Sequence, residues 1–507
     1  MSARLAIRRF GYTPVAIVVT AMLFVFVGVV VSHFTSQLQH WLPFLLACLV
    51  LVLTGGVVLL RVWLGGRDPL EPTTLFSLSL AVGTGLRGVY LAIGKGTFFD
   101  ELPGLSSGVL ATFEMSHLSL ALFYSCIGIC AFYAGYSNKI IAKKLATRLP
   151  VFRPVIHPRR LAFSIALYTL IGLYTLVSFL HSREIGPIGI ETLSSGRVWK
   201  ASGYVGMAIG LLSHATILCG ILYFRRRRNL LFWVLLLLAL VYPVLTSSRG
   251  GILNLVVILV TIYHYAVRSI SRRKLVILFL LTLVVLSALL GLRLATYLGV
   301  EAFQASVRVE GLIGSLLGYQ NFADIITFAN IVRVVPAQWD LEWGSNWLTL
   351  FVKPIPRAWW PEKPVDVGIT VASEIYGTRS ANPPSFIADL YWNFHLPGIL
   401  LGMYLFGLFA RTIYSYLNLN RGNIYCEVIY AVCAVFIFKL SNSNLVPQIT
   451  WLLITILPLL VAIYYSSGGF VQRELKINRP LDRDSAQVHT RLGQGDSTAM
   501  NRLRPTN

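Results

Sequence analysis

The chain is predicted to be an all-α polytopic integral membrane protein with about twelve transmembrane helices, and three observations predict it. Hydrophobic residues make up 56% of 507 and charged residues only 13%, where soluble domains carry about 25% charged. Mean hydropathy is +0.69. Apolar runs recur at a length of about 20 residues, which crosses ~30 Å of hydrocarbon at about 1.5 Å per residue. This composition excludes a soluble enzyme, a secreted disulfide scaffold and a disordered chain.

The runs are simply apolar rather than alternating, which favours helices over a barrel. They fall at 14–33, 42–60, 73–93, 116–136, 161–180, 204–224, 229–246, 251–267, 275–292, 385–410, 424–440 and 448–465. The first is longer than a signal-peptide core and more spans follow it, so it is expected to be retained as a helix. All six cysteines lie within spans, without disulfide or zinc spacing, and read as small buried hydrophobes. Residues 466–507 are polar and are expected to form a disordered tail. No internal repeat is evident.

The net charge of +22 would point to nucleic acid in a soluble chain. Here 29 of the 43 basic residues fall on one side of the twelve spans, in the N-terminus, alternate connections and the tail. Basic connections stay in the cytoplasm, so both termini are expected inside and the nucleic-acid reading drops out.

Arg87 and Lys439 lie within spans, and twelve basic residues oppose the topology rule. Seven of those twelve occupy one external connection, 293–384, between the ninth and tenth spans. A loop of that length is more often functional than connective. It also holds Trp339, Trp343, Trp347, Trp359 and Trp360. Residues 311–330 are apolar but interrupted by Gln320, Asn321 and Asp324, and are expected to form an interfacial helix. The stretch KPIPRAWWPEKP, 353–364, reads as stiff, irregular backbone. Guanidinium groups bind phosphate oxygens bidentately, indoles stack on sugar rings, and a lipid tail needs a groove between helices. A polyprenyl-diphosphate-linked oligosaccharide combines all three. The alternative is an aromatic belt with arginines on lipid headgroups.

The segments TSSRGG (246–251), PIPRAWWPEKP (354–364) and NPPSFIADLYWNFHLPGILLGMYLFGLFAR (382–411) resemble, in order and placement, the bacterial O-antigen polymerases, the Wzy-type repeat-unit polymerases. That resemblance implies a GT-C-like glycosyltransferase of the inner membrane. It would transfer a nascent polymer from undecaprenyl diphosphate to a new lipid-linked repeat unit on the outer face. A flippase and a chain-length regulator are the implied partners, alongside membrane lipid, and no cofactor is implied. Some members carry an Arg, ten residues and a Gly in the large outer loops; Arg357 and Gly368 match. Members commonly carry Glu and Asn-Phe-Gly where this chain has Asp389 and Asn393-Phe394-His395.

Cleaving a sugar–diphosphate bond leaves negative charge on phosphate, where fixed cations act most strongly in the transition state. One well-placed donor is worth about 3 kcal/mol, roughly a hundredfold in rate. Arg249, Arg293, Arg357 and Arg379 form the expected diphosphate set, with Arg87 behind them; Arg293 also reads as a snorkelling helix-end residue. Arg87 lies inside its span and needs a partner or a wet pocket. Lys439 is expected to snorkel. Trp359 and Trp360 are the sugar-stacking candidates. Asp389 is the first candidate to orient or deprotonate the acceptor hydroxyl, and it also reads as a structural carboxylate paired with an arginine. Glu374 and Asp366 are alternatives, and His395 is a proton shuttle or a hydrogen-bonded helix residue. No paired Asp-x-Asp occurs in the early outer loops, so no metal site is expected. The competing activities are an O-antigen ligase and a lipid-oligosaccharide flippase; a chain-length or assembly subunit is a non-catalytic alternative.

Overall fold

The computed structural model describes residues 41–64, 68–93, 114–181, 203–226, 230–245, 249–278, 280–282, 284–285, 325–356, 359–377 and 382–471. The described residues are helical and contain no strand; an isolated bridge joins Phe152 to Phe470. The helices are α1 (Leu42–Val58), α2 (Pro72–Ala92), α3 (Met115–Ser137), α4 (Lys139–Arg148), α5 (Pro158–His181), α6 (Gly203–Arg226), α7 (Leu230–Leu245) and α8 (Arg249–Ala266). After them come α9 (Ile325–Val334), α10 (Val367–Glu374), α11 (Phe386–Leu419), α12 (Ile424–Leu440) and α13 (Leu445–Ser467).

Six of these helices are long and apolar enough to cross a membrane by length and composition: α2, α3, α5, the 204–224 part of α6, α11 and α13. Leu42–Val58, Leu230–Val244 and Gly250–Ala266 are apolar but shorter. The expected first span, 14–33, and the tail from 472 lie outside the described residues. So does most of the ninth span, although residues 272–278 are helical. Wide helical turns at Leu59–Leu64 and Ala81–Leu86 extend α1 and interrupt α2.

Two differences from the sequence expectation concern the external connection and the span after it. Residues 311–324 lie outside the described residues, and 325–334 is not laid along a surface. All of α9 but Arg333 is buried, packed among α3 and α11, with Phe328 against Tyr124 and Tyr391. Its two internal polar groups, Thr327 and Asn330, meet the Tyr376 hydroxyl at 3.2 and 3.3 Å, so burial leaves them satisfied. The tenth span runs to Leu419 rather than 410 and is broken at Phe394–His395.

Among the described residues, α3 and α11 pack backbone to backbone. A Cβ at Gly135 would overlap the Tyr404 carbonyl oxygen, and one at Gly407 would overlap that of Phe132. Small residues at a crossing let two membrane helices bring their backbones together. Around this pair lies one apolar core from α1, α2, α3, α9 and α11. A second core joins α5–α8 to α12 and α13.

The helices define two ends. At one, Glu71, Arg61, Tyr136 and Arg411 meet. Tyr416 and Asn423 bind the 150–152 backbone there, and Ser466 and Gly469 bind the backbone at His157 and Arg153. Asp389 and Arg411 lie 22 residues apart on α11, about 33 Å along an ideal helix axis. The described residues of 335–384 therefore gather at the opposite end from the described residues of the basic segments 61–71, 138–160 and 411–421.

Candidate functional site

The site begins with a proline. Pro397 has no N–H, so the Asn393 carbonyl loses its partner four residues ahead. The helix breaks there: Phe394 has φ −141° and His395 has φ 54°, ψ −145°. The freed acceptors are filled from the segment after α9. Glu342 N–H donates to the Trp392 carbonyl at 3.2 Å and Trp343 N–H to the Asn393 carbonyl at 3.1 Å. Gly344 N–H donates to Asn393 Oδ1 at 2.8 Å. Three successive amides thus cap the upper limb of α11. Trp339 stacks on Trp392 at 5.1 Å, and Trp343 and Trp347 meet the Phe394 ring edge-on. All five loop tryptophans are among the described residues, and three of them, Trp339, Trp343 and Trp347, pack on the break.

Asp389, one turn into α11, is 1% exposed. Its Oδ1 accepts from Asn393 Nδ2 at 3.0 Å and Trp347 Nε1 at 3.3 Å. Its Oδ2 accepts from the Leu445 amide, the first residue of α13, at 2.8 Å. One carboxylate therefore ties the segment carrying Trp347, the broken helix and the start of the last helix. No arginine pairs with it among the described residues. A carboxylate offers about four lone-pair positions, and three are used. One position is left, but the group is 1% exposed, so a hydroxyl from outside reaches it only when the surrounding groups move, and the geometry makes Asp389 first a positioning group.

Asp366 stands beside this hub. Its Oδ1 accepts from Asn444 Nδ2 at 2.8 Å and caps α10 through Gly368 N–H at 3.1 Å; Lys353 Nζ lies 3.3 Å from Oδ2. Lys363 Nζ donates to the carbonyls of Lys353 and Ile355 at 2.7 and 2.9 Å. These two lysines are committed to shaping the proline-rich turn. Several buried amide atoms here have no protein partner among the described residues: Asn346 Nδ2 and Oδ1, Asn444 Oδ1 and Gln448 Oε1. Each such atom costs about 1–3 kcal/mol when left unmet, so they are natural donors and acceptors for a polyhydroxylated ligand.

The other expected site residues separate. Arg293, Arg357 and Arg379 lie outside the described residues, and of Arg249 only the backbone, at the start of α8, is described. Arg87 is buried in α2 and has a partner. Trp359 is 82% exposed, Trp360 is 39% exposed, and Glu374 is exposed at the end of α10, so none of the three joins the Asp389 hub. His395 sits at the break, 4.6 Å ring to ring from Tyr391. Lys439 lies over Trp451, 4.2 Å from the ring centroid. Among the described residues no group of His, Cys, Asp or Glu is arranged to hold a metal ion. An apolar groove of about 840 Å³ between α5, α11, α12 and α13 is lined by Phe152, Tyr416 and Phe470 of the basic end, not by the hub.

Sequence reasoning missed Asn393, Trp347, Asn346, Asn444 and Gln448. A signal existed for the first: Pro397 places Asn393 where the lost helical bond must be replaced. None existed for Trp347 and Asn444, whose partners Asp389 and Asp366 lie 42 and 78 residues away. Comparison with family models, curated proteins and solved structures returns no match.

Proposed function

We propose that the chain polymerises undecaprenyl-diphosphate-linked oligosaccharide repeat units on the outer face of a bacterial inner membrane. In this reading about twelve spans build a GT-C-like scaffold with both termini in the cytoplasm, and the 293–384 connection is periplasmic. A flippase supplies the repeat units and a chain-length regulator limits the product.

The observation that carries the reading is the backbone at His395. The resemblance implies glycine at this position, and φ 54°, ψ −145° is a conformation that essentially only glycine adopts without strain. The local fold therefore fits the Asn-Phe-Gly pattern even where the side chain departs from it. Irregular backbone at membrane depth, capped by an external segment rather than by lipid, also suits a site that lines a wet cavity.

The chemistry divides between two sets of groups. Arg249, Arg293, Arg357 and Arg379 hold the diphosphate and take up the charge of the departing oxygen. Asp389, through Asn393 and Trp347, holds the amide-rich pocket that receives the acceptor sugar. The exposed indoles of Trp359 and Trp360 offer stacking faces to the glycan.

The test is purified protein with lipid-linked repeat units, and product length on a gel. A ladder is expected, and Arg357→Ala or Arg249→Ala removes it while the protein still inserts. Unchanged single units that cross the bilayer make the chain a transporter. Transfer only to lipid A core makes it a ligase. Normal ladders from both variants defeat the arginine assignment.

A further inference from the structure

The basic end holds an open, arginine-lined cavity that the proposed reaction does not use. It measures about 820 Å³ and is lined by Asp68, Arg268, Ser269, Arg272, Arg273 and Arg421, with His264, Tyr265 and Glu427 completing the wall. Its basic residues come from the segment after α8 and from the α11–α12 turn, so topology alone does not require them to converge.

The acidic groups in the wall are already committed. Asp68 accepts from Tyr265 Oη at 2.7 Å and from Leu70 N–H at 3.0 Å, and lies 3.4 Å from His264 Nε2. His264 Nδ1 accepts from Ile270 N–H at 3.1 Å, so the ring hydrogen sits on Nε2 and faces Asp68. Glu427 Oε1 accepts from Gly422 N–H at 3.2 Å. Among the described residues no carboxylate lies within ion-pair distance of Arg268 or Arg273. Arg421 donates through Nε to Asn418 Oδ1 at 3.0 Å. The Asp68–His264–Tyr265 network thus forms the floor, and Arg268 and Arg273, with no carboxylate at ion-pair distance among the described residues, leave the lining positively charged.

We propose that this cavity binds a phosphate or diphosphate group through Arg268, Arg273 and Arg421. Guanidinium forks match the paired oxygens of such groups, and the Ser269 and Ser271 hydroxyls add donors. The group arrives on an anionic lipid headgroup or on a soluble phosphate ester. The inference is independent of the polymerase reading, since it uses neither Asp389 nor the external arginines.

Two arms separate the sources. In the first, the full chain in phosphatidylcholine nanodiscs is titrated calorimetrically with inorganic diphosphate. In the second, protein from mixed phosphatidylglycerol–phosphatidylethanolamine nanodiscs is examined by native mass spectrometry for retained phosphatidylglycerol. The double variant Arg268→Gln/Arg273→Gln is expected to weaken binding about tenfold or more in the arm where the wild type binds. Ser269→Trp keeps every charge but fills the cavity, and is expected to weaken it as much. Lys143→Gln/Lys144→Gln, on exposed residues of α4, is expected to leave it unchanged. Thermal melting in detergent confirms that each variant is folded. Binding by Ser269→Trp equal to wild type overturns the proposal, because it marks diffuse surface charge. Absence of binding in both arms overturns it as well.

Discussion

Asp389 and Glu71 are buried carboxylates of similar exposure, 1% and 3%, at opposite ends of the bundle. Glu71 is compensated by charge: Arg61 and Arg411 each stand 3.8 Å from Oε1, and Tyr136 donates at 2.7 Å. Both guanidiniums also lie over the Tyr136 ring. Asp389 is compensated by neutral donors alone, an indole, an amide side chain and a helix-start N–H. The difference is what each end can exchange. Removing Glu71 leaves two cations facing each other, so that end is a fixed staple. The donors of Asp389 can be traded for other donors at modest cost, as a site that opens to substrate requires.

Variants that break each network test this contrast. Glu71→Ala is expected to cost about 3–5 kcal/mol, since it strands buried charge, read as a lowered detergent unfolding midpoint. A loss under 1 kcal/mol would show that the staple is replaceable. Asp389→Asn keeps the shape and turns an acceptor into a donor facing the Leu445 amide. It is expected to cost about 1–3 kcal/mol and to lower polymer formation more than it lowers expression. An effect on stability equal to that of Glu71→Ala would erase the contrast.

Smaller changes sharpen the comparison. His395→Gly relieves a left-handed backbone and is expected to stabilise the fold by about 1 kcal/mol with activity retained; destabilisation of that size would mean the imidazole holds the break open through Tyr391. The smallest expected effect concerns Asp68 at the basic end. Burial works to raise its carboxyl, but the His264, Tyr265 and Leu70 bonds overcome this and hold it below the ordinary 3.8. Its contribution is therefore present above about pH 4. It is lost as the medium is acidified through the lowered value. Wild type and Asp68→Asn should differ in unfolding midpoint at pH 7 and converge at strongly acidic pH; a constant gap would remove the carboxylate from the account.

The helices were legible in sequence where a long apolar run sufficed: 116–136 appears as Met115–Ser137 and 161–180 as Pro158–His181. Asp389 was legible as a polar residue at the head of a span, and the break was implicit in Pro397. The placement of α9 was not legible, because Thr327 and Asn330 are satisfied by Tyr376, far along the chain. The interfacial expectation rested on Gln320, Asn321 and Asp324, which lie outside the described residues. The arginine partner imagined for Asp389 was likewise a local expectation. The tertiary fold instead brings Trp347 from 42 residues earlier in the chain and Leu445 from 56 residues later.

The glycine crossing of α3 and α11 lies on the basic side of the Pro397 break. With Gly135 and Gly407 in backbone contact, the lower limb of α11 behaves as a post clamped to its neighbour and cannot slide along it. The freedom left to the upper limb is rotation about residues 393–395, and that rotation would carry Asp389, Asn393 and the tryptophans stacked on them as one lever. A reshaping of the segment over the break would then swing about this pivot instead of sliding along the helix axis.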